Sequence, residues 1–141
     1  MKLKKKQAAG IKAGFTLIEL MIVLIILGLL TALVTPQFLG KAEKAKRQTA
    51  KMQIEYLSNA VKDYYLDVGQ YPQQLKDLVE NPGEEKWDGP YLDPPKIPED
   101  PWGEEYVYEY PGTHGQFDLY SWGSDRAPGG EDNNADIVSW E

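Results

Sequence analysis

An uninterrupted apolar run near the N-terminus constrains the fold of this chain more than any other feature. Residues 15–35 read FTLIELMIVLIILGLLTALVT, and Glu19 is the one charged residue among these 21. At about 1.5 Å of rise per residue, a helix of this length spans about 31 Å, which matches the core of a bilayer. We therefore predict a membrane-spanning helix, followed by a soluble part of about 100 residues, which is small for a hydrophobic core.

The charges on the two sides of this run differ in sign. The first fourteen residues contain five lysines and no acid (Lys2, Lys4, Lys5, Lys6, Lys12), and the rest of the chain contains 10 Lys+Arg against 22 Asp+Glu, a balance of −12. Basic flanks stay cytoplasmic, so we expect the acidic part on the opposite side of the membrane. Nucleic-acid binding requires clustered Lys and Arg, and the acidic balance argues against it.

Two residues of the run are unusual in a simple anchor. A carboxylate at mid-membrane costs about 2.5–3.5 kcal/mol, so Glu19 either lies at the headgroup boundary or needs a positive partner during assembly. Pro36 marks either the membrane exit or a kink or break in the helix. Leu33-Val34-Thr35-Pro36 does not fit a signal-peptide cleavage site, so we expect the run to remain in the mature protein.

A second helical segment follows, because residues 41–66 contain neither Gly nor Pro. Spacings of three and four place one apolar stripe along it, formed by Ile54, Leu57, Val61, Tyr64 and Val68. Its earlier part is basic and contains Lys41, Lys44, Lys46, Arg47 and Lys51. This basic face is either a solvated surface or a contact for anionic lipid or acidic neighbours. Gly69 is the predicted stop.

The remaining residues predict a small sheet. Strand-like runs occupy 105–110, 117–121 and 136–140, and a short helix is predicted over 73–80. We predict an α+β fold in which a long N-terminal helix, half membrane anchor and half amphipathic, packs on a small antiparallel sheet of about three strands. The tryptophans are expected in the core, because a short sheet needs bulk (Trp87, Trp102, Trp122, Trp140).

The loop before the last predicted strand is rich in oxygen donors. Residues 121–136 read SWGSDRAPGGEDNNAD, with aspartates at 125, 132 and 136. Calcium binds six to eight oxygens from carboxylates, amides and carbonyls, but the EF-hand spacing is absent. The residues alone leave open a solvated acidic turn or a calcium site. Because the chain has no cysteine, a metal or self-assembly would be an alternative constraint on so small a domain.

The junction Gly14-Phe15-Thr16-Leu17-Ile18-Glu19, between a basic leader and an apolar helix, resembles the prepilin processing motif of type IV pilins and type II secretion pseudopilins. The resemblance implies cleavage between Gly14 and Phe15 by a prepilin peptidase and N-methylation of Phe15. It also implies that Glu19 pairs with the terminal amine of a neighbouring subunit, and that Pro36 matches a family proline. A buried acid and a buried amine each stabilise the charged form of the other.

Further motifs resemble the major-pseudopilin family of type II secretion: Gly69-Gln70-Tyr71-Pro72, Gly89-Pro90-Tyr91-Leu92, Asp100-Pro101-Trp102-Gly103, and Gly123-Ser124-Asp125 with Ala135-Asp136-Ile137. The resemblance implies a structural Ca²⁺ in the C-terminal loop, with Asp125 and Asp132 as side-chain ligands. Weaker candidates are carbonyls of Leu119, Ser121 or Pro128, and Asp136, which either binds the ion or caps the loop.

The resemblance implies a domain order of leader (1–14), transmembrane and assembly helix (15–36), amphipathic helix (37–68) and loop-rich β domain (69–141). The implied function is a subunit that polymerises into the type II secretion pseudopilus and helps move folded exoproteins across the outer membrane. A type IV pilus or competence-type pilin is the alternative. The absence of cysteine counts against a typical type IVa pilin, whose C-terminal loop is usually closed by a disulfide.

The same resemblance implies partners and a location. The partners are copies of the chain, minor pseudopilins, the prepilin peptidase, the inner-membrane assembly platform and the secretion ATPase. The implied location is the inner membrane, crossed once, with the C-terminal domain in the periplasm and the assembled subunit in a periplasmic filament.

An enzyme and a carbohydrate-binding module are the competing classes. Paired carboxylates could serve a glycosidase, and the tryptophans could stack on sugars. His114 is the one histidine, no GxSxG motif is present, and about 100 soluble residues leave little room for a cleft. We therefore predict that the chain is not an enzyme. A monomeric binding module would not need Glu19 or the Gly14-Phe15 junction.

Overall fold

The computed structural model describes residue 10 and residues 13–141, and leaves out the side chains of residues 34–37. The predicted leader therefore lies mostly outside the described residues, and so does the side chain of Pro36. Two compact units divide the chain, Met1–Leu39 and Gly40–Glu141.

A 52-residue helix, α1 (Leu17–Val68), covers both predicted helical segments. Thr16 caps its start, because its Oγ1 accepts a hydrogen bond from the Glu19 N–H at 3.2 Å. The described side chains of its first part are all exposed, from Leu17 to Leu33. The helix is long and apolar enough to cross a membrane. Exposed apolar side chains in such a run require a nonaqueous partner, which is consistent with the predicted membrane anchor.

The second half of α1 provides the core of the Gly40–Glu141 unit. Ile54, Leu57, Val61 and Tyr64 are buried, and Val68 packs partly buried beside them, so the predicted stripe is confirmed. The helix ends at Val68, and Gly69 follows with a φ of +88°, a left-handed conformation that favours glycine.

The tryptophans are only partly buried, so their predicted place in the core is confirmed in part: Trp87 and Trp102 pack against the core cluster. Their indole N–H groups explain the position of two of them, since a buried indole needs an acceptor. Trp87 donates to the carbonyl of Asp77 at 2.8 Å. Trp102 donates to the carboxylate of Glu43 at 3.1 Å. The buried hydrophobic positions are filled by aliphatic and tyrosine side chains instead.

A three-stranded antiparallel sheet packs on this helix. Its strands are β1 (Val107–Glu109), β2 (Asp118–Ser121) and β3 (Ile137–Val138), in the order β1-β2-β3. Tyr108 is paired with Leu119, and Ser121 with Ile137. The predicted α+β fold is confirmed, although the strands are shorter than predicted. The helix predicted over 73–80 is a single 3₁₀ turn, Leu75–Leu78.

Candidate functional site

The C-terminal loop between β2 and β3 brings its aspartates onto neighbouring turns. Two short 3₁₀ helices, Gly123–Asp125 and Asp132–Asn134, lie against each other. Ser124 joins them, because its hydroxyl lies 3.2 Å from the carbonyl oxygen of Asn133 and 2.9 Å from Oδ1 of Asn134. The two predicted side-chain ligands, Asp125 and Asp132, therefore sit on adjoining turns of one folded loop.

Left-handed backbone lets the loop turn this tightly. Arg126 has a φ of 56° and Asp132 a φ of 52°, values that cost free energy for residues with a Cβ atom. Gly130 has a φ of 92°, and a Cβ atom there would clash with the carbonyl oxygen of Asn134. The glycine therefore allows the two ends of the loop to approach closely.

The three aspartates have different surroundings. Asp125 is exposed, and its Oδ1 accepts a hydrogen bond from the Ala127 N–H at 3.1 Å. Asp136 lies just before β3, and its Oδ2 accepts from the Gly129 N–H at 2.9 Å, which is the capping role. Its Oδ1 is buried and has no hydrogen-bond partner among the described residues. Asp132 is exposed.

The donor chemistry of the loop fits calcium. Within the described part of the chain, no three His, Cys, Asp or Glu side chains converge as a metal site. Calcium is compatible with fewer carboxylates, because backbone carbonyls can complete its shell. Asp125 and Asp132 are hard oxygen donors on adjoining turns, and the buried Oδ1 of Asp136 is an unsatisfied acceptor, which is rare in native proteins.

The weaker candidates differ in their availability. The Leu119 carbonyl accepts the Ser139 N–H at 2.9 Å within the sheet. The Ser121 hydroxyl is fully buried and donates to Asp100 Oδ2 at 2.6 Å. Pro128 is exposed in the loop. The Leu119 carbonyl thus already serves the sheet, whereas the bond from Ser121 involves its hydroxyl, so the carbonyls of Ser121 and Pro128 stay predicted ligands.

Sequence reasoning missed the contact that ties the loop to the helix. Arg47 was grouped with the lysines of the basic face, yet it is partly buried. Its Nη1 donates to the carbonyl of Ala135 at 2.6 Å and to that of Asn133 at 3.2 Å. The one sequence feature that could have indicated this contact is an arginine among lysines, because a guanidinium is suited to several fixed hydrogen bonds at once.

The Asp100-Pro101-Trp102-Gly103 motif supports the start of the same loop. Asp100 is buried, and its Oδ1 accepts from the N–H groups of Trp102 at 3.0 Å and Glu104 at 2.9 Å. Its Oδ2 accepts from Ser121, whose hydroxyl in turn accepts the Gly123 N–H at 3.1 Å. One carboxylate thus links the motif to the end of β2. The resemblance pointed to this motif but not to this role.

His114 pairs with the buried carboxylate of Asp118, the first residue of β2. Asp118 is 1% exposed and accepts from the N–H groups of Thr113 and His114. His114 Nδ1 lies 2.9 Å from Asp118 Oδ2, and the imidazole stacks on Trp140 at 3.9 Å. Burial alone would raise the pKa of Asp118, but the His114 side chain and the two backbone hydrogen bonds outweigh it and lower the pKa.

We expect Asp118→Asn to lower the free energy of unfolding in a pH-dependent way. Because the folded-state pKa of Asp118 is depressed, its stabilisation is complete above the unfolded pKa of about 3.9 and is lost as the pH falls through the folded value. Urea unfolding at pH 7 and pH 2.5 measures the gap between variant and wild type. The difference in free energy of unfolding between Asp118→Asn and wild type should shrink at pH 2.5, whereas exposed Asp63→Asn should show no difference at either pH. An equal difference for Asp118→Asn at both pH values contradicts the assignment.

The chain matches two family models. The model described as type II secretion system protein G covers residues 37–140, and that of the prokaryotic N-terminal methylation motif covers residues 11–35. The chain belongs to the type II secretion system protein G family. This membership confirms the resemblance drawn from the Gly14-Phe15 junction and the later motifs.

Individual relatives agree along nearly the whole chain. The type II secretion system core protein G of Pseudomonas aeruginosa is 48% identical over 139 residues, 92% of this chain and 96% of that protein. Its namesake in Vibrio cholerae is 41% identical over 147 residues, 99% of this chain and 96% of that protein. The crystal structure of the major pseudopilin of enterohaemorrhagic Escherichia coli superposes with a TM-score of 0.59 at 34% identity, covering 72% of this chain and 87% of that one. These relatives favour the secretion pseudopilin over a type IV or competence pilin.

Proposed function

We propose that this chain is a structural subunit that polymerises into the type II secretion pseudopilus and has no catalytic role. Membership of the protein G family supports the proposal. The observation that carries it is the run of exposed apolar side chains on the first half of α1. Burying that surface is favourable in a bilayer, and equally favourable against copies of the same helix, so one segment can serve as anchor and as polymerisation element.

Maturation exposes the group that completes this segment. Cleavage between Gly14 and Phe15, as the methylation motif over residues 11–35 supports, leaves a methylated amine on Phe15. Glu19 lies in the first turn of α1, where the helix dipole already favours an acid. In the filament, the amine of one subunit pairs with Glu19 of a neighbour, which removes the cost of leaving either charge alone in an apolar surrounding.

The remaining partners follow from this life cycle. The prepilin peptidase processes the chain at the inner membrane, and the assembly platform with its ATPase extracts the subunit into the filament. Minor pseudopilins share the same polymerisation helix. The globular Gly40–Glu141 unit then lies in the periplasm and forms the filament surface, where growth moves folded exoproteins towards the outer membrane.

A calcium ion in the C-terminal loop is the structural cofactor of this proposal. Asp125 and Asp132 hold it, with carbonyl oxygens of the loop completing the shell and Asp136 closing the turn. The support is the all-oxygen donor set on adjoining 3₁₀ turns and the tight backbone at Gly130. When bound, the ion supplies cross-linking of a loop that has no disulfide.

The function is tested by complementing a host that lacks its own protein G, with this chain and its cognate secretion genes. We expect secreted exoprotein in the medium, filaments under overexpression and, by mass spectrometry, an N-methylated Phe15 terminus. Glu19→Ala should reduce filaments by about a hundredfold or more, because removing one partner of a buried ion pair costs about 3–5 kcal/mol.

The matched control is Glu55→Gln, which changes an exposed acid on the same helix. Glu55→Gln should secrete and assemble like the wild type. Wild-type protein that is processed yet restores neither filaments nor secretion would overturn the polymerisation proposal. Normal assembly of Glu19→Ala would overturn the pairing while leaving the polymer intact.

A further inference from the structure

Arg47 connects the helix to the segment that carries Asp132. Its Nη1 donates to the carbonyls of Asn133 and Ala135, which lie one and three residues after Asp132 in the chain. The neighbouring Lys44, Lys46 and Lys51 are exposed and make no hydrogen bond or ion pair within the described residues. Arg47 is therefore distinct from the rest of the basic face, since its charge is committed to the loop.

The segment that Arg47 holds needs an external constraint. Asp132 has a left-handed φ of 52°, which persists in a non-glycine residue only where the surroundings fix it. Within the loop, the Asn134 N–H donates to the Glu131 carbonyl at 3.0 Å, and the Ala135 N–H donates to the Asp132 carbonyl at 3.4 Å. These bonds close a short turn, and the Ser124 hydroxyl joins it to the neighbouring 3₁₀ turn, but neither attaches it to α1. The two bonds from Arg47 provide that attachment, across 86 and 88 residues of sequence.

We propose that Arg47 is a positioning residue for the cation site of the loop. By holding the Asn133 and Ala135 carbonyls against α1, it places Asp132 in its binding conformation before any cation arrives. A cation would compete with the guanidinium at these two oxygens, so both carbonyls are assigned to Arg47 and lie outside the metal shell. This inference rests on the proposed calcium site and adds to it a residue 78 positions before Asp125 in the sequence.

Two opposing effects decide the sign of its influence on calcium affinity. The Arg47 charge repels a divalent ion, but across solvent at physiological ionic strength this amounts to about a few-fold in affinity. Charge-assisted hydrogen bonds are stronger, and a site that is ordered only part of the time binds more weakly in proportion to that fraction. The ordering effect is therefore expected to win, so that loss of Arg47 weakens calcium binding.

The test is a calcium titration of the full chain in detergent micelles, by isothermal calorimetry. The variants are Arg47→Gln, Arg47→Lys and Lys46→Gln, which removes the same charge from the exposed neighbour. We expect the dissociation constant to rise about tenfold or more in Arg47→Gln, to rise less in Arg47→Lys, and to stay within about twofold in Lys46→Gln. Circular dichroism checks that each variant is folded. If Arg47→Gln does not fold, the comparison of dissociation constants uses Arg47→Lys instead.

A second readout is independent of the metal. In excess EDTA, amide hydrogen exchange of residues 131–135 should accelerate in Arg47→Gln, while the amides of β1 and β2 stay protected. Arg47→Gln that melts lower but keeps the wild-type dissociation constant would overturn the positioning role and leave a merely structural contact. Asp132→Ala is expected to bind no calcium. If the wild-type protein also binds none, the calcium site and this inference are overturned together.

Discussion

Adding 1 mM calcium to the Gly40–Glu141 unit is expected to raise its melting temperature by about 10–20 °C over the value in excess EDTA. The unit contains the whole buried core, so it is a suitable soluble fragment. At about 100 times the dissociation constant, one site adds about 2.7 kcal/mol to the free energy of unfolding. In a domain of about 100 residues each kcal/mol moves the midpoint by about 4–8 °C.

Controls separate the site from general charge screening. Magnesium at the same concentration should produce a small shift, because it demands octahedral geometry and retains its waters. Asp125→Ala and Asp132→Ala should abolish the calcium shift. Asp63→Asn removes an exposed acid from α1 and should keep it. A wild-type midpoint that is the same in calcium and EDTA would identify the loop as a solvated acidic turn, and family membership would be unaffected.

The elements that could be predicted from the sequence are those with a local cause. Hydropathy and length predicted the apolar half of α1. The three-and-four spacing of Ile54, Leu57, Val61 and Tyr64 predicted the buried face, because a helix places such residues on one side. Gly69 ended the helix as expected, since a left-handed residue is required there. Alternating patterns predicted the sheet. The predicted strands were one to three residues too long, because strand ends depend on pairing with a neighbouring strand.

The elements that could not be predicted depend on partners far away in the chain. Arg47 has the composition of a surface residue, and only the folded chain brings it to Ala135, 88 positions later. Asp100 was recognised as part of a motif, but its hydrogen bond to Ser121 is invisible in either segment alone. The tryptophans are less buried than expected, because the prediction considered the bulk of the rings and not the acceptors that the indole N–H groups of Trp87 and Trp102 need. Long-range polar contacts thus define the candidate site, while local patterns define its scaffold.

Asp100→Ala is expected to lower the free energy of unfolding of the same unit by about 3–5 kcal/mol, because it leaves one buried and two part-buried donors without an acceptor. These donors are the N–H groups of Trp102 and Glu104 and the hydroxyl of Ser121. Asp100→Asn keeps an acceptor for the two N–H groups and should cost less, about 1–2 kcal/mol. Urea unfolding at neutral pH, followed by circular dichroism, measures both.

The position of Asp100 also predicts an effect on the loop. The Ser121 hydroxyl oxygen accepts a hydrogen bond from the Gly123 N–H, and the 3₁₀ turn that carries Asp125 begins at Gly123. Asp100→Ala should therefore reduce the calcium-dependent shift of the melting temperature as well as the basal stability. Ser121→Ala should lower the free energy of unfolding less in the Asp100→Ala background than in the wild type, because the two residues share one hydrogen bond. Exposed Asp63→Ala should remain within about 0.5 kcal/mol of wild type. If Asp100→Ala also remains within about 0.5 kcal/mol of wild type, the Asp100 carboxylate is not the link between the motif and the loop.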